Sequence, residues 1–156
     1  MKKTLVLLVA SCLFFSGCLQ SNNSLDLYGT EYKNPPDAPD FTLLNQDGES
    51  VTLSDYSDKV VVVAFIYTSC PDVCLAISAN LAWVHENLGE YSDDVVILSI
   101  TIDPARDTVD RFAQWTEANG YEWDHLSAER SSTLVNVWNS WNIVVDNEHI
   151  EASQPP

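Results

Sequence analysis

The stretch from Val60 to Cys74 constrains this chain more than any other. Val60-Val61-Val62-Val63-Ala64-Phe65-Ile66 is a run of β-branched, apolar and aromatic residues. Such a run predicts a strand buried on both faces, the central strand of an α/β sheet. Thr68 and Ser69 end it, and Pro71 opens a helix, because proline is favoured at the first helical position. Cys70 and Cys74 flank that helix start, four residues apart.

The elements on either side complete the frame. Phe41 and Leu43 alternate with polar neighbours, as do Val51 and Leu53, and Asp47-Gly48 lies between the pairs, which predicts a β-hairpin. Ser54 is placed to cap a short helical turn through Tyr56. A helix over Pro71–Leu88 carries Val73, Ile77, Leu81, Val84 and Leu88 as one apolar stripe. Val95 to Ile102 reads as a second buried strand, so strand, helix and strand form a right-handed βαβ unit with parallel strands. Asp103-Pro104-Ala105-Arg106-Asp107-Thr108 is a loop into the next helix, with an Arg106 ion pair in the turn, Asp107 as N-cap and Gly120 as the stop. A third helix follows Ser131-Ser132, and Asn142 to Asp146 reads as the start of a further strand. A sheet of this kind usually has more strands after its last crossover, so the C-terminal part of the domain is expected beyond Pro156.

With 156 residues, 46% of them hydrophobic, the chain can bury one sizeable core. Residues 1–17 read as a secretory signal: Lys2 and Lys3, an apolar run from Leu5 to Ala10, then the small pair Ser16-Gly17. The apolar run is too short to span a bilayer comfortably. Phe15-Ser16-Gly17-Cys18 resembles the lipobox of bacterial-type lipoproteins, which implies that Cys18 is lipidated and becomes the N-terminus. Residues 18–36 are polar and aperiodic and read as a tether, and 37–156 as the folded domain. Removing Cys12 with the signal and assigning Cys18 to the anchor leaves only Cys70 and Cys74 in the domain. The formal charge is −16, and losing the two positive charges of Lys2 and Lys3 takes it to −18. That charge excludes nucleic acid as a partner and argues against adhesion to anionic headgroups.

The geometry of a helix start gives the two cysteines their chemistry. As N-cap, Cys70 would present its sulfur to backbone N–H groups at the positive end of the helix dipole, which favours the thiolate. Cys74, one turn on, shares its face, so the two sulfurs can converge. The row 70, 74, 78 lies about a quarter turn from the apolar stripe, which places the sulfurs at the rim of the buried face. Three uses stay open on spacing alone: a structural disulfide, a redox dithiol, and a metal site whose two soft thiolates suit Cu(I) or zinc. The three histidines, His85, His125 and His149, carry no ligand pattern of their own.

Cys70-Pro71-Asp72-Val73-Cys74 after an apolar strand, with Asp103-Pro104-Ala105-Arg106-Asp107-Thr108 downstream, resembles the SCO/SenC family. So does the approach Ala38-Pro39-Asp40-Phe41-Thr42-Leu43, and the resemblance covers roughly Asp37 to Asp146. It implies a thioredoxin-like fold on a membrane-tethered, extracytoplasmic protein. It further implies copper as the bound metal, in either Cu(I) or Cu(II) form, and assembly of the copper centre of cytochrome c oxidase as the task. The partner would be the oxidase subunit that carries that centre. Cys70 and Cys74 become copper ligands that can also form a disulfide. The family's third ligand is a histidine just before a later strand. His149 stands nearest to that place, but Ile-Glu-Ala-Ser-Gln-Pro-Pro after it does not read as that strand, so the ligand is expected beyond Pro156. The competing reading is a thiol–disulfide oxidoreductase that needs no metal, with a peroxidase behind it.

Overall fold

The structure is a computed structural model and describes residues 29–145. By its internal contacts the chain divides into Met1–Pro36 and Asp37–Pro156, and the second unit holds all the elements described below. In order these are β1 (Thr42–Leu44), β2 (Ser50–Thr52), a 3₁₀ turn (Leu53–Tyr56), β3 (Val60–Ile66), α1 (Val73–Glu86), a 3₁₀ turn (Gly89–Tyr91), β4 (Val95–Thr101), α2 (Val109–Asn119), β5 (Asp124–Leu126) and α3 (Ser131–Ser140).

β1 and β2 form the expected antiparallel hairpin, with Leu43 opposite Val51. Its turn is built by Asn45, whose side-chain oxygen accepts from the N–H groups of Asp47 and Glu49 at 3.1 and 2.9 Å. Gly48 supplies the positive φ of 78° that this turn demands. The hairpin is stitched to the end of β5 by reciprocal bonds between Leu44 and Ser127, 2.9 and 2.8 Å.

β3, β4 and β5 make a parallel sheet in that order, so among the described residues β4 lies between the other two and β3 is paired along one edge. Only Ile66 of β3 is fully buried, whereas the last five residues of β4 all are. Among the described residues β3 has cover from a single neighbouring strand. An open groove of about 410 Å³ runs along it, lined by Ala38, Leu53, Tyr56, Val61, Val63 and Trp141.

Alternation along the strands sorts the core into two faces. Val61, Val63 and Phe65 of β3 and Leu98 and Ile100 of β4 pack with Leu43, Val51, Leu126, Leu134 and Trp138. Ala64 and Ile66 turn the other way and join Cys70, Cys74, Phe112 and Trp115.

Several elements depart from their sequence readings. In α1 the cysteine row faces inward, with Cys74 and Ser78 buried, while Val73 is 58% exposed and Ile77 and Val84 37%. Small side chains on the inward row let the helix approach the second cluster closely, while Val73, Ile77 and Val84 of the apolar stripe are left outside and Leu81 and Leu88 stay half-buried. The N-cap of α2 is Thr108, whose hydroxyl accepts from Arg111 N–H at 3.2 Å, and Asp107 is buried instead. Asn142 to Val145 form no strand, and Asn142 has a φ of 56°, outside the strand region. The ending at Gly120 holds, with φ 67° at that glycine. No described helix is long and apolar enough to cross a membrane.

Candidate metal and redox site

α1 begins at Val73, two residues later than the proline suggests, with Asp72 at the N-cap position. The Asp72 side chain makes no capping bond. The sulfur of Cys70 takes that role and accepts the backbone N–H of Cys74 at 3.3 Å. The capping atom therefore comes from two residues before the N-cap, and the turn that allows it is closed by Cys70 N–H donating to Tyr67 C=O at 3.3 Å.

Both thiols are free and buried, 6% and 4% exposed. They are electrostatically unequal. Burial works against ionisation of Cys70, but it is outweighed by hydrogen bonds from the Cys74 thiol, from the backbone N–H groups of Asp72 and Cys74, and from Tyr67, so its pKa is lowered. Burial pushes Cys74 up to about 11, aided by its bond to Cys70 and by the charges of Cys70 and Asp107. The pair thus contains one thiol disposed to ionise and one disposed to keep its proton. That is the polarity of a nucleophile with its resolving partner, and equally of a site that releases protons as a metal binds.

The structure brings Cys70 and Cys74 together, and they lie inside the core's second cluster rather than at an open rim. Of the histidines, His125 is fully buried on β5 with its Nδ1 3.1 Å from Thr116 Oγ1, which makes it a core residue. His85 sits on α1 with Nδ1 4.0 Å from Glu122 Oε2. His149 and Cys18 lie outside the described residues. Among the described residues no group of three or more His, Cys, Asp or Glu side chains is placed to hold a metal ion. The donor set available is two sulfurs, which fits a soft ion such as Cu(I) as a partial site.

Three neighbours of the pair have a part in the site that their places in the sequence do not disclose. The Tyr67 hydroxyl bonds to the Cys70 sulfur, and this raises the tyrosine's own pKa. Thr68 and Asp107 lie beneath the cysteine turn, joined by a hydrogen bond of 2.5 Å. The signal was present in the Thr two residues before Cys70 and in the second Asp of Asp-Pro-x-Arg-Asp-Thr, but it requires knowing that two loops meet. Asp103 and Arg106 do form the expected pair in the turn.

A parallel sheet, a hairpin and paired thiols at the head of the helix after the first parallel strand define a thioredoxin-like dithiol protein. More narrowly, the family model SCO1/SenC matches residues 30–154, and the chain belongs to that family. A SCO1 protein homolog of Bacillus subtilis is 29% identical over 111 residues, covering 68% of this chain. The chain spans 58% of that relative's length. The structure of Bradyrhizobium japonicum ScoI with copper bound superimposes with a TM-score of 0.62 at 28% identity, covering 67% of this chain and 66% of that one. A structure described as showing a disulfide switch in BsSco, a member of the Sco family of cytochrome c oxidase assembly proteins, gives a TM-score of 0.59 at 28% identity. It covers 71% of this chain and 68% of its own.

Proposed function

We propose that this protein holds copper between Cys70 and Cys74 and serves assembly of the copper centre of cytochrome c oxidase. The observation that carries the reading is the Cys70 sulfur docked 3.3 Å from the Cys74 N–H, which brings two soft donors to one helix start. Membership of the SCO1/SenC family and the likeness to a copper-bound ScoI support copper over zinc. The likeness to BsSco supports cytochrome c oxidase as the destination and a disulfide as the pair's second state.

The test is anaerobic titration of the reduced protein with Cu(I) against a chromophoric chelator. One equivalent is expected to bind, and Cys70→Ser or Cys74→Ser to abolish it, because each removes half of the sulfur donors. Parent-like uptake by both variants would place the site elsewhere.

The second reading, a metal-independent thiol–disulfide oxidoreductase, is favoured by the unequal thiols, Cys70 lowered and Cys74 at about 11. Turnover of a disulfide substrate in excess copper chelator would support it, and no turnover would dismiss it.

The proposed setting is extracytoplasmic, with residues 1–17 as signal, 18–36 as tether, 37–156 as the thioredoxin-like domain and a lipid on Cys18. A second lipid chain on that residue would make the anchor firm, since one chain binds only marginally. Mass spectrometry of the membrane-extracted protein is expected to give an N-terminal Cys18 carrying acyl mass, and an unmodified Cys18 would refute the anchor.

A further inference from the structure

Asp107 is fully buried, and its carboxylate reaches back from the start of α2 to the ends of two strands. It accepts from the Thr68 N–H at 3.1–3.2 Å, from the Thr68 hydroxyl at 2.5 Å and from the Thr101 hydroxyl at 2.7 Å. Its own backbone is fixed, with its N–H donating to Asp103 C=O at 2.9 Å and its C=O accepting from the Ser127 hydroxyl at 2.7 Å. Arg111 Nε adds a bond to the Thr68 hydroxyl at 3.2 Å. Thr68 lies inside the turn that runs from Tyr67 C=O to Cys70 N–H.

A carboxylate buried on neutral donors is a costly fastening compared with an apolar contact. Here it grips one residue, Thr68, through both backbone and side chain. That residue stands two positions before the sulfur that caps α1.

We infer that Asp107 is the positioning residue of the dithiol: through Thr68 it anchors the Tyr67–Cys70 turn and so holds the Cys70 sulfur within reach of Cys74. This deepens the reading of Cys70 and Cys74 as a working pair. It is tested without metal, so a failure of copper binding and a failure of this inference are separate results.

The experiment equilibrates the full chain with glutathione buffers under argon and quantifies the pair by mass spectrometry after thiol trapping. The exchange measured is two protein thiols plus oxidised glutathione giving the Cys70–Cys74 disulfide plus two reduced glutathiones. Its constant reports the effective concentration of one sulfur at the other. Thr68→Val keeps the backbone donor and the side-chain shape but removes the hydroxyl. It is expected to lower the constant by about tenfold or more, the scale of one charge-assisted hydrogen bond. Thr68→Ser restores the hydroxyl and is expected to stay within about twofold of the parent. Asp107→Ala is expected to lower it further than Thr68→Val; if that variant does not fold, the Thr68 pair decides. A Thr68→Val constant equal to the parent's would overturn the inference, as would an equal drop in Thr68→Val and Thr68→Ser.

Discussion

Acidification from about pH 7 to about pH 4 is expected to remove about 3 kcal/mol of folding stability through His125 alone. The ring is fully buried and lies 5.1–5.8 Å, centre to centre, from Phe112, Trp115, Tyr121 and Trp123. Burial lowers its pKa from 6.5 to about 4. Between those two values the unfolded chain binds a proton that the folded chain refuses, so stability falls as pH drops through that window. The carboxylates of this acidic chain titrate in the same range, and their self-repulsion relaxes as they protonate. Comparison with His125→Asn separates the two effects, since asparagine can still meet Thr116 but does not titrate there. Urea unfolding of both proteins across this pH range should show the parent losing about 3 kcal/mol more than the variant. Parallel pH profiles would show that His125 is not buried in its neutral form.

Phe112→Ala is expected to cost about 3–5 kcal/mol, a large share of the stability of a domain this size. Phe112 is fully buried, and it packs with Ile66, Cys70, Cys74 and Trp115. Its ring lies 6.4 Å from Trp115 and 5.6 Å from His125. Truncation leaves a cavity walled by rigid aromatic rings that cannot collapse to fill it. Because the same ring forms a wall of the dithiol, the variant should also alkylate faster at Cys74 under native conditions. Chemical denaturation and trapping kinetics read the two effects. A loss below about 1 kcal/mol with unchanged trapping would mean that the cluster can repack around the gap.

These expectations show how unevenly the chain advertises itself. The hairpin is legible because a glycine with a required positive φ and two alternating runs specify it locally. The strands are legible from their β-branched runs, but their order is not. β3 has the stronger valine run, and of the three described parallel strands it takes one edge, since order depends on which partners flank each strand. The inward face of α1 is not legible in the sequence because Val73, Leu75, Ile77, Trp83 and Val84 place apolar groups around much of the helix. The inward row is set instead by small side chains, Cys74 and Ser78, and by the contacts of the cysteine turn. The inward turn of Asp107 is hidden for a similar reason. Asp107 and Thr108 are both good capping residues, and only the tertiary meeting with Thr68 and Thr101 shows which one turns inward. The pairing of Cys70 with Cys74 was legible because helix geometry is local, whereas Tyr67, Thr68 and Asp107 became visible only once two loops met.

The most direct test of the account is copper X-ray absorption on the reduced protein loaded with one equivalent of Cu(I). The account predicts two sulfur scatterers per copper, supplied by Cys70 and Cys74, falling to one or none in Cys70→Ser and Cys74→Ser. A first shell of nitrogen and oxygen alone in the parent protein would contradict it.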